Sequence, residues 1–129
     1  MNGRVVHFEI PADDVERAQS FYQDAFGWTI DAAPGIDYYL VRTTPTADDG
    51  SPLESGAING GMLARQGPIT GPVVTIEVDD MAQAMSMVEK FGGKVAIASQ
   101  PVGDMGFAAY FNDTEGNLIG LWQSTRRRA

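Results

Sequence analysis

The sequence predicts an α+β fold of two tandem βαβββ modules, on three observations. Asp13-Asp14-Val15, followed by Ala18 and Ser20, recurs as Asp79-Asp80-Met81, followed by Ala84 and Ser86. Each copy follows a short apolar run of strand character and ends in Phe-Gly, at Phe26-Gly27 and Phe91-Gly92. Three further runs with strand character then follow each helix-like segment. Module one is expected over residues 4–63, a linker over 64–72 and module two over 73–124. A tandem of this kind usually shares a groove between its sheets, so the side chains facing that groove are the first candidates for function.

The elements follow in order. Val5 to Ile10 reads as a strand with Val6, Phe8 and Ile10 on one apolar face and His7 and Glu9 on the other. Asp13 is placed to cap the next helix, with Glu16 completing a capping box, and Val15, Ala18, Phe21 or Tyr22, and Ala25 mark its inner side. Gly27 stops that helix. Strands at Trp28 to Asp31 and Asp37 to Thr43 flank the Pro34-Gly35 turn. The polar stretch Pro45 to Ser55 reads as a mobile loop, and Ala57 to Leu63 as the closing strand. Module two repeats this order. Its strand Val73 to Val78 leads to a helix capped by Asp79, with Met81, Ala84, Met85, Val88 and Phe91 inward and Gly92-Gly93 as the stop. Strands at Lys94 to Ser99, Gly106 to Phe111 and Asn117 to Gln123 complete it, the last two joined by the turn Asp113-Thr114-Glu115-Gly116. The methionine spacing on the helix fits core packing.

Each half, at roughly 60 residues, buries only about 60% of its unfolded surface, so the halves are expected to fold together. No apolar run approaches the length of a membrane helix, and the N-terminus carries neither a signal-peptide core nor a transit helix, so a soluble cytoplasmic protein without membrane partners is expected. The 129 residues include no cysteine, which removes disulfides, thiol nucleophiles and thiolate metal sites. A formal net charge of −8 disfavours nucleic acid as a partner. The basic run Arg126-Arg127-Arg128 reads as a solvated tail.

His7-Phe8-Glu9-Ile10-Pro11, Phe21-Tyr22, Phe26-Gly27-Trp28 and Asp113-Thr114-Glu115-Gly116-Asn117 resemble the vicinal oxygen chelate superfamily, which includes glyoxalase I, bleomycin-resistance proteins and extradiol dioxygenases. The ending Gly116-Asn117-Leu118-Ile119-Gly120-Leu121-Trp122-Gln123 is similar to that of its small glyoxalase-like group. The resemblance implies a curved mixed sheet around a cavity, often in a homodimer. It also implies a divalent metal held by one His, Glu or Gln from the first and last strand of each module. Carried onto this chain, the first-strand positions are His7 and Val73, and the last-strand positions fall near Gly60 and on Gly120. Gly60, Val73 and Gly120 offer no side-chain ligand, so no metal site and no cofactor are expected, with a divalent metal as the alternative.

Glycine at Gly60 and Gly120 either opens volume for a ligand or a neighbouring backbone, or marks a strand bend. His7, the sole histidine, is either a hydrogen-bonded structural residue or a general base. Glu9 and Glu77 lie on comparable faces, and either could pair with His7; without partners, both belong at exposed or rim positions. Under the repeat, Thr75 is the mate of Glu9. Trp122 shares the Gly120 face, where it stacks on a flat ligand or fills core. Tyr38 or Tyr39, with Met62, Met105, Phe107 and Tyr110, complete an apolar lining suited to a small organic molecule. The glycine-rich stretches match no phosphate loop or dinucleotide fingerprint. The leading expectation is therefore a metal-independent glyoxalase-like protein binding a small organic molecule, with His7, Glu9 and Glu77 as catalytic candidates if it is an enzyme. A metal-dependent lyase or isomerase with a rebuilt site, and a bleomycin-resistance-type protein sequestering cationic drugs, are the alternatives.

Overall fold

The computed structural model describes residues 2–125, so the Arg126-Arg127-Arg128 run lies outside the described residues. The chain forms two compact units. One is His7–Pro72; the other runs from Val73 onward and takes in the chain start through Val6.

In the first unit, β1 (Val5–Ala12) is followed by α1 (Val15–Phe26), β2 (Thr29–Ala32), β3 (Tyr39–Arg42) and β4 (Gly60–Ala64). The strand order is β2-β3-β4-β1, antiparallel except for the β4–β1 pair. Alternation along β1 sends Phe8 and Ile10 to the helix side, where they pack with Val15, Ala18, Tyr22, Trp28 and Tyr39 around Ile30, Val41 and Met62. The helix is capped by Asp14, not by Asp13 as the capping-box spacing suggested. The Asp14 carboxylate accepts from the Arg17 N–H at 3.0 Å. Asp13 instead pairs with the Arg65 guanidinium at 3.0 Å. Gly27 closes the helix in the left-handed region, φ 73°, donating its N–H to the Gln23 carbonyl.

The second unit contains β5 (Val73–Glu77), α2 (Met81–Lys90), β6 (Lys94–Val102), β7 (Gly106–Asn112) and β8 (Leu118–Ser124). The order β5-β8-β7-β6 repeats the mixed pattern, with β5–β8 parallel. Glu77 N–H donates to the Arg4 carbonyl and Gly3 N–H to the Glu77 carbonyl, which ties the chain start to β5. Asp80, again one residue later than the repeat suggested, caps α2 by accepting from the Gln83 N–H. Met81, Ala109 and Leu121 form the core, with Ile76, Val78, Ala84, Met85 and Phe111 against it. Phe91, expected inward, is 66% exposed, because it is the residue at which α2 ends. Its ring instead lies 5.4 Å from the Lys90 ammonium. The α+β class and the helix-plus-mixed-sheet plan of each module thus match the expectation. Among the described residues, no helix is long and apolar enough to cross a membrane.

The polar stretch after β3, expected to be mobile, is pinned by its own side chains. Thr43 donates its hydroxyl to the Ile58 carbonyl and its N–H to Asn59; Asn59 in turn donates to the Thr46 hydroxyl, and Thr44 donates to Glu54. Four threonine or asparagine side chains here do the work that a strand ladder does elsewhere.

Candidate functional site

The face of the first unit's sheet turned away from α1 begins with His7 and Glu9, which β1 alternation sets opposite to Phe8. Glu9 stands level with Gly61 across the parallel pair, and Leu40 is level with Gly61 from β3. Tyr38, just before β3, shares that face. Its backbone is fixed by the β2–β3 turn, where Ala33 N–H donates to the Tyr38 carbonyl at 2.8 Å and Gly35 adopts φ 76°. The Tyr38 hydroxyl reaches between the two β1 side chains. It donates to Glu9 Oε2 at 2.7 Å and lies 2.8 Å from His7 Nε2. The His7 and Tyr38 rings are only 17° from parallel.

Glycine at position 61 is what permits this arrangement. A Cβ there would fall inside the contact radius of the Tyr38 hydroxyl and ring. Volume freed at the last-strand position of this module is therefore filled by the chain's own tyrosine. The strand register also moves that position: Gly61, not Gly60, faces Glu9, while a Cβ on Gly60 would meet the Phe8 carbonyl at 2.5 Å on the helix side. A single-residue slip in aligning the two halves changes the face.

Glu9 is 5% exposed, so the rim position expected for it is not observed. The tyrosine donor supplies the partner that a buried carboxylate needs. Burial pushes His7 below its ordinary value of 6.5, against the opposing pull of the Glu9 carboxylate, which favours a neutral imidazole at neutral pH. Tyr39 and Met62, expected as ligand lining, belong to the helix-side core, with Met62 fully buried. The open choice between Tyr38 and Tyr39 is decided by Val41: it is 1% exposed, which sends Tyr39 inward with it and Tyr38 to the other face.

In the second unit the corresponding face is differently furnished. Thr75 stands level with Gly120, and a Cβ at Gly120 would lie 2.8 Å from the Thr75 hydroxyl. Tyr110 is level with Gly120 and Ala108 with Trp122, all turned away from the α2-side core that holds Ala109 and Leu121. Trp122 is half-buried, and its indole edge lies over Gly106, where a Cβ would come within 2.8 Å of Cζ2. Val73 is buried at 2%. Glu77, level with Trp122, is 5% exposed and accepts from the Asn2 side-chain amide at 2.5 Å, again a buried, partnered carboxylate where a rim position was expected. Met105 and Phe107, candidates for lining, are 52% and 37% exposed.

A separate groove of about 620 Å³ lies in the first unit between Gly27, Thr29 and the Arg42–Asp48 segment. It includes none of the candidate catalytic, ligand-binding or metal-ligating residues named from the sequence. Among the described residues, no three His, Asp or Glu side chains converge in a way that could hold a metal ion.

The paired βαβββ units define a vicinal oxygen chelate fold. The comparisons with known proteins agree. The family described as bleomycin resistance protein-like, N-terminal, matches residues 4–43. A glyoxylase-like domain-containing protein of Didymella fabae is 33% identical over 123 residues, which is 94% of each chain. The protein belongs to the glyoxalase-like members of the vicinal oxygen chelate superfamily. Among solved structures, a methylmalonyl-CoA epimerase variant of Streptomyces coelicolor in complex with 2-nitronate-propionyl-CoA is similar in fold. It has a TM-score of 0.68 at 15% identity, with 100% of this chain and 99% of that one covered. A hypothetical protein of Bacillus halodurans C-125 has a TM-score of 0.66 at 13% identity, over 100% and 99% of the two chains.

Proposed function

We propose that this protein binds a small organic molecule and does so without a divalent metal, using the His7, Tyr38 and Glu9 face of its first module. One observation carries the reading. The Tyr38 hydroxyl sits where a metal held by His7 and a last-strand side chain would need space, hydrogen-bonded to His7 and Glu9 and backed by Gly61. A site already closed by a tyrosine, with Val73 and Gly120 at the other family positions, lacks the three or more donors a catalytic divalent ion wants. Tyr110 and Trp122 supply aromatic surface on the corresponding face of the second module. In an enzyme, His7 would be the base, with Glu9 acting on it through Tyr38. The reading keeps the cytoplasmic homodimer suggested by the sequence.

The test is metal content by mass spectrometry of untagged protein purified without chelator, followed by thermal shift against a panel of small aromatic and heterocyclic compounds. Metal well below one ion per chain, together with stabilising compounds whose effect is weakened in Tyr38→Phe, is the expected result. About one tightly held divalent ion per chain would overturn the metal-free reading and revive a site rebuilt from His7, Glu9 and Glu77. A second reading, sequestration of cationic drugs, is favoured by the match of residues 4–43 to the bleomycin-resistance-like family and by the acidic net charge of −8. It predicts that the stabilising compounds are polycations.

A further inference from the structure

The three groups on the first module's sheet face away from α1 hold too few protons to be arranged in more than one way. The Glu9 carboxylate only accepts, so the 2.7 Å contact uses the single proton of the Tyr38 hydroxyl. The 2.8 Å contact between Tyr38 and His7 Nε2 must then be donated by the imidazole. A neutral imidazole that donates from Nε2 carries its lone pair on Nδ1. Among the described residues no partner meets Nδ1, and no buried side-chain nitrogen or oxygen lacks one, so Nδ1 lies where solvent or a ligand reaches it. His7 is half-buried, whereas Glu9 is buried and accepts from Tyr38.

We infer that Tyr38 and Glu9 lock His7 as the Nε2–H tautomer, and that the site takes its ligand through an O–H or N–H donor presented to His7 Nδ1. The ligand class is thus a phenol, enol, amide or amine, and not a carboxylate or phosphate. An anionic acceptor placed against Nδ1 would face a lone pair, with the Glu9 charge behind it and no proton between them. Tyr38 is a positioning residue in this arrangement. It acts on the ligand through the histidine. This inference rests on the proposal that the first-module face binds a small molecule, and adds to it which chemical groups are accepted.

The sole histidine makes the test direct. Long-range proton–nitrogen NMR of the full chain reads the tautomer of His7 without assignment ambiguity, and titrations with phenol, benzylamine and benzoate hold the ring constant while changing the polar group. The expected result is an Nε2–H imidazole in the free protein, an Nδ1 resonance that moves with phenol and benzylamine, and at least about tenfold weaker binding of benzoate. In Tyr38→Phe the Nδ1–H form should appear and the preference over benzoate should fall by about tenfold. Glu9→Gln, which can donate to the Tyr38 oxygen and so turn the hydroxyl toward His7, should shift the population the same way and guards against a folding defect in the first variant. An Nδ1–H tautomer in the wild-type protein, or benzoate binding as tightly as phenol with movement of the His7 signals, would overturn the inference and leave small-molecule binding intact. No movement of the His7 signals with any of the three probes would overturn the inference and the proposed binding face together.

Discussion

The two modules are built to one plan and differ in what they place on the sheet face away from the helix. Level with the last-strand glycines, Gly61 and Gly120, stand Glu9 in one module and Thr75 in the other. Carrying that register outward matches His7 with Val73, Leu40 with Tyr110 and Tyr38 with Ala108. The first module therefore holds a hydrogen-bonded polar triad where the second holds valine, threonine and alanine. The glycines have different effects as a result. Gly61 lies beneath a tyrosine hydroxyl held by two partners, whereas Gly120 lies beside the short side chain of Thr75. Equivalent positions thus carry a hydrogen-bonded triad in one module and none in the other, and glycine at both hides the difference.

The largest expected effect separates those glycines. Gly61→Ala puts a methyl where the Tyr38 hydroxyl lies, so the tyrosine must leave and the triad breaks; a loss of about 2–3 kcal/mol is expected from urea denaturation. Gly120→Ala meets Thr75 Oγ1 at 2.8 Å, and a threonine side chain can turn away, so about 1 kcal/mol is expected there. Equal losses at the two sites would mean that the modules do not differ in the way described. Next in size is Tyr38→Phe, which keeps the ring and removes the donor from a buried carboxylate. It should cost about 1–2 kcal/mol, while Thr75→Val in the second module should cost less, because Val73 already provides an apolar neighbour there.

Much of this fold could be read from the chain, because helix and strand periods, the repeated Asp-Asp and the Phe-Gly stops are local signals. Gly27 illustrates it: a glycine after a helical run has one use there, and the left-handed cap is observed. The caps were harder. With two aspartates in succession, Asp13 fits the capping-box spacing, yet the second aspartate has the extended backbone at Asp14 and again at Asp80, and only the ion pair with Arg65 explains what Asp13 does instead. The site was legible in part. His7 and Glu9 follow from alternation in β1, but their connection runs through Tyr38, whose side is set by whether Leu40 or Val41 enters the core. Both are apolar, and a four-residue strand gives alternation too little length to choose. The polar loop between β3 and β4 likewise breaks the alignment of the halves, which is how Gly60 took the place that the strand register assigns to Gly61.

The smallest expected effect tests the same asymmetry through pH. His7 is held below its ordinary value of 6.5 by burial, with Glu9 opposing, while in the unfolded chain it titrates near that ordinary value. Between the folded and unfolded values the unfolded chain binds more protons, so stability rises with pH across that interval. The contribution is complete above 6.5 and is lost as pH falls through the folded value. His7→Val copies Val73, its second-module counterpart, and removes the titration without removing an apolar contact. Unfolding midpoints from about pH 5 to about pH 8 should rise more steeply in the wild-type protein than in His7→Val, with the difference confined to the region below 6.5. An identical pH dependence would remove the imidazole from the account of acid sensitivity, and a wild-type protein that grows more stable as pH falls through this range would mean that Glu9 and Tyr38 favour the charged ring over the neutral one.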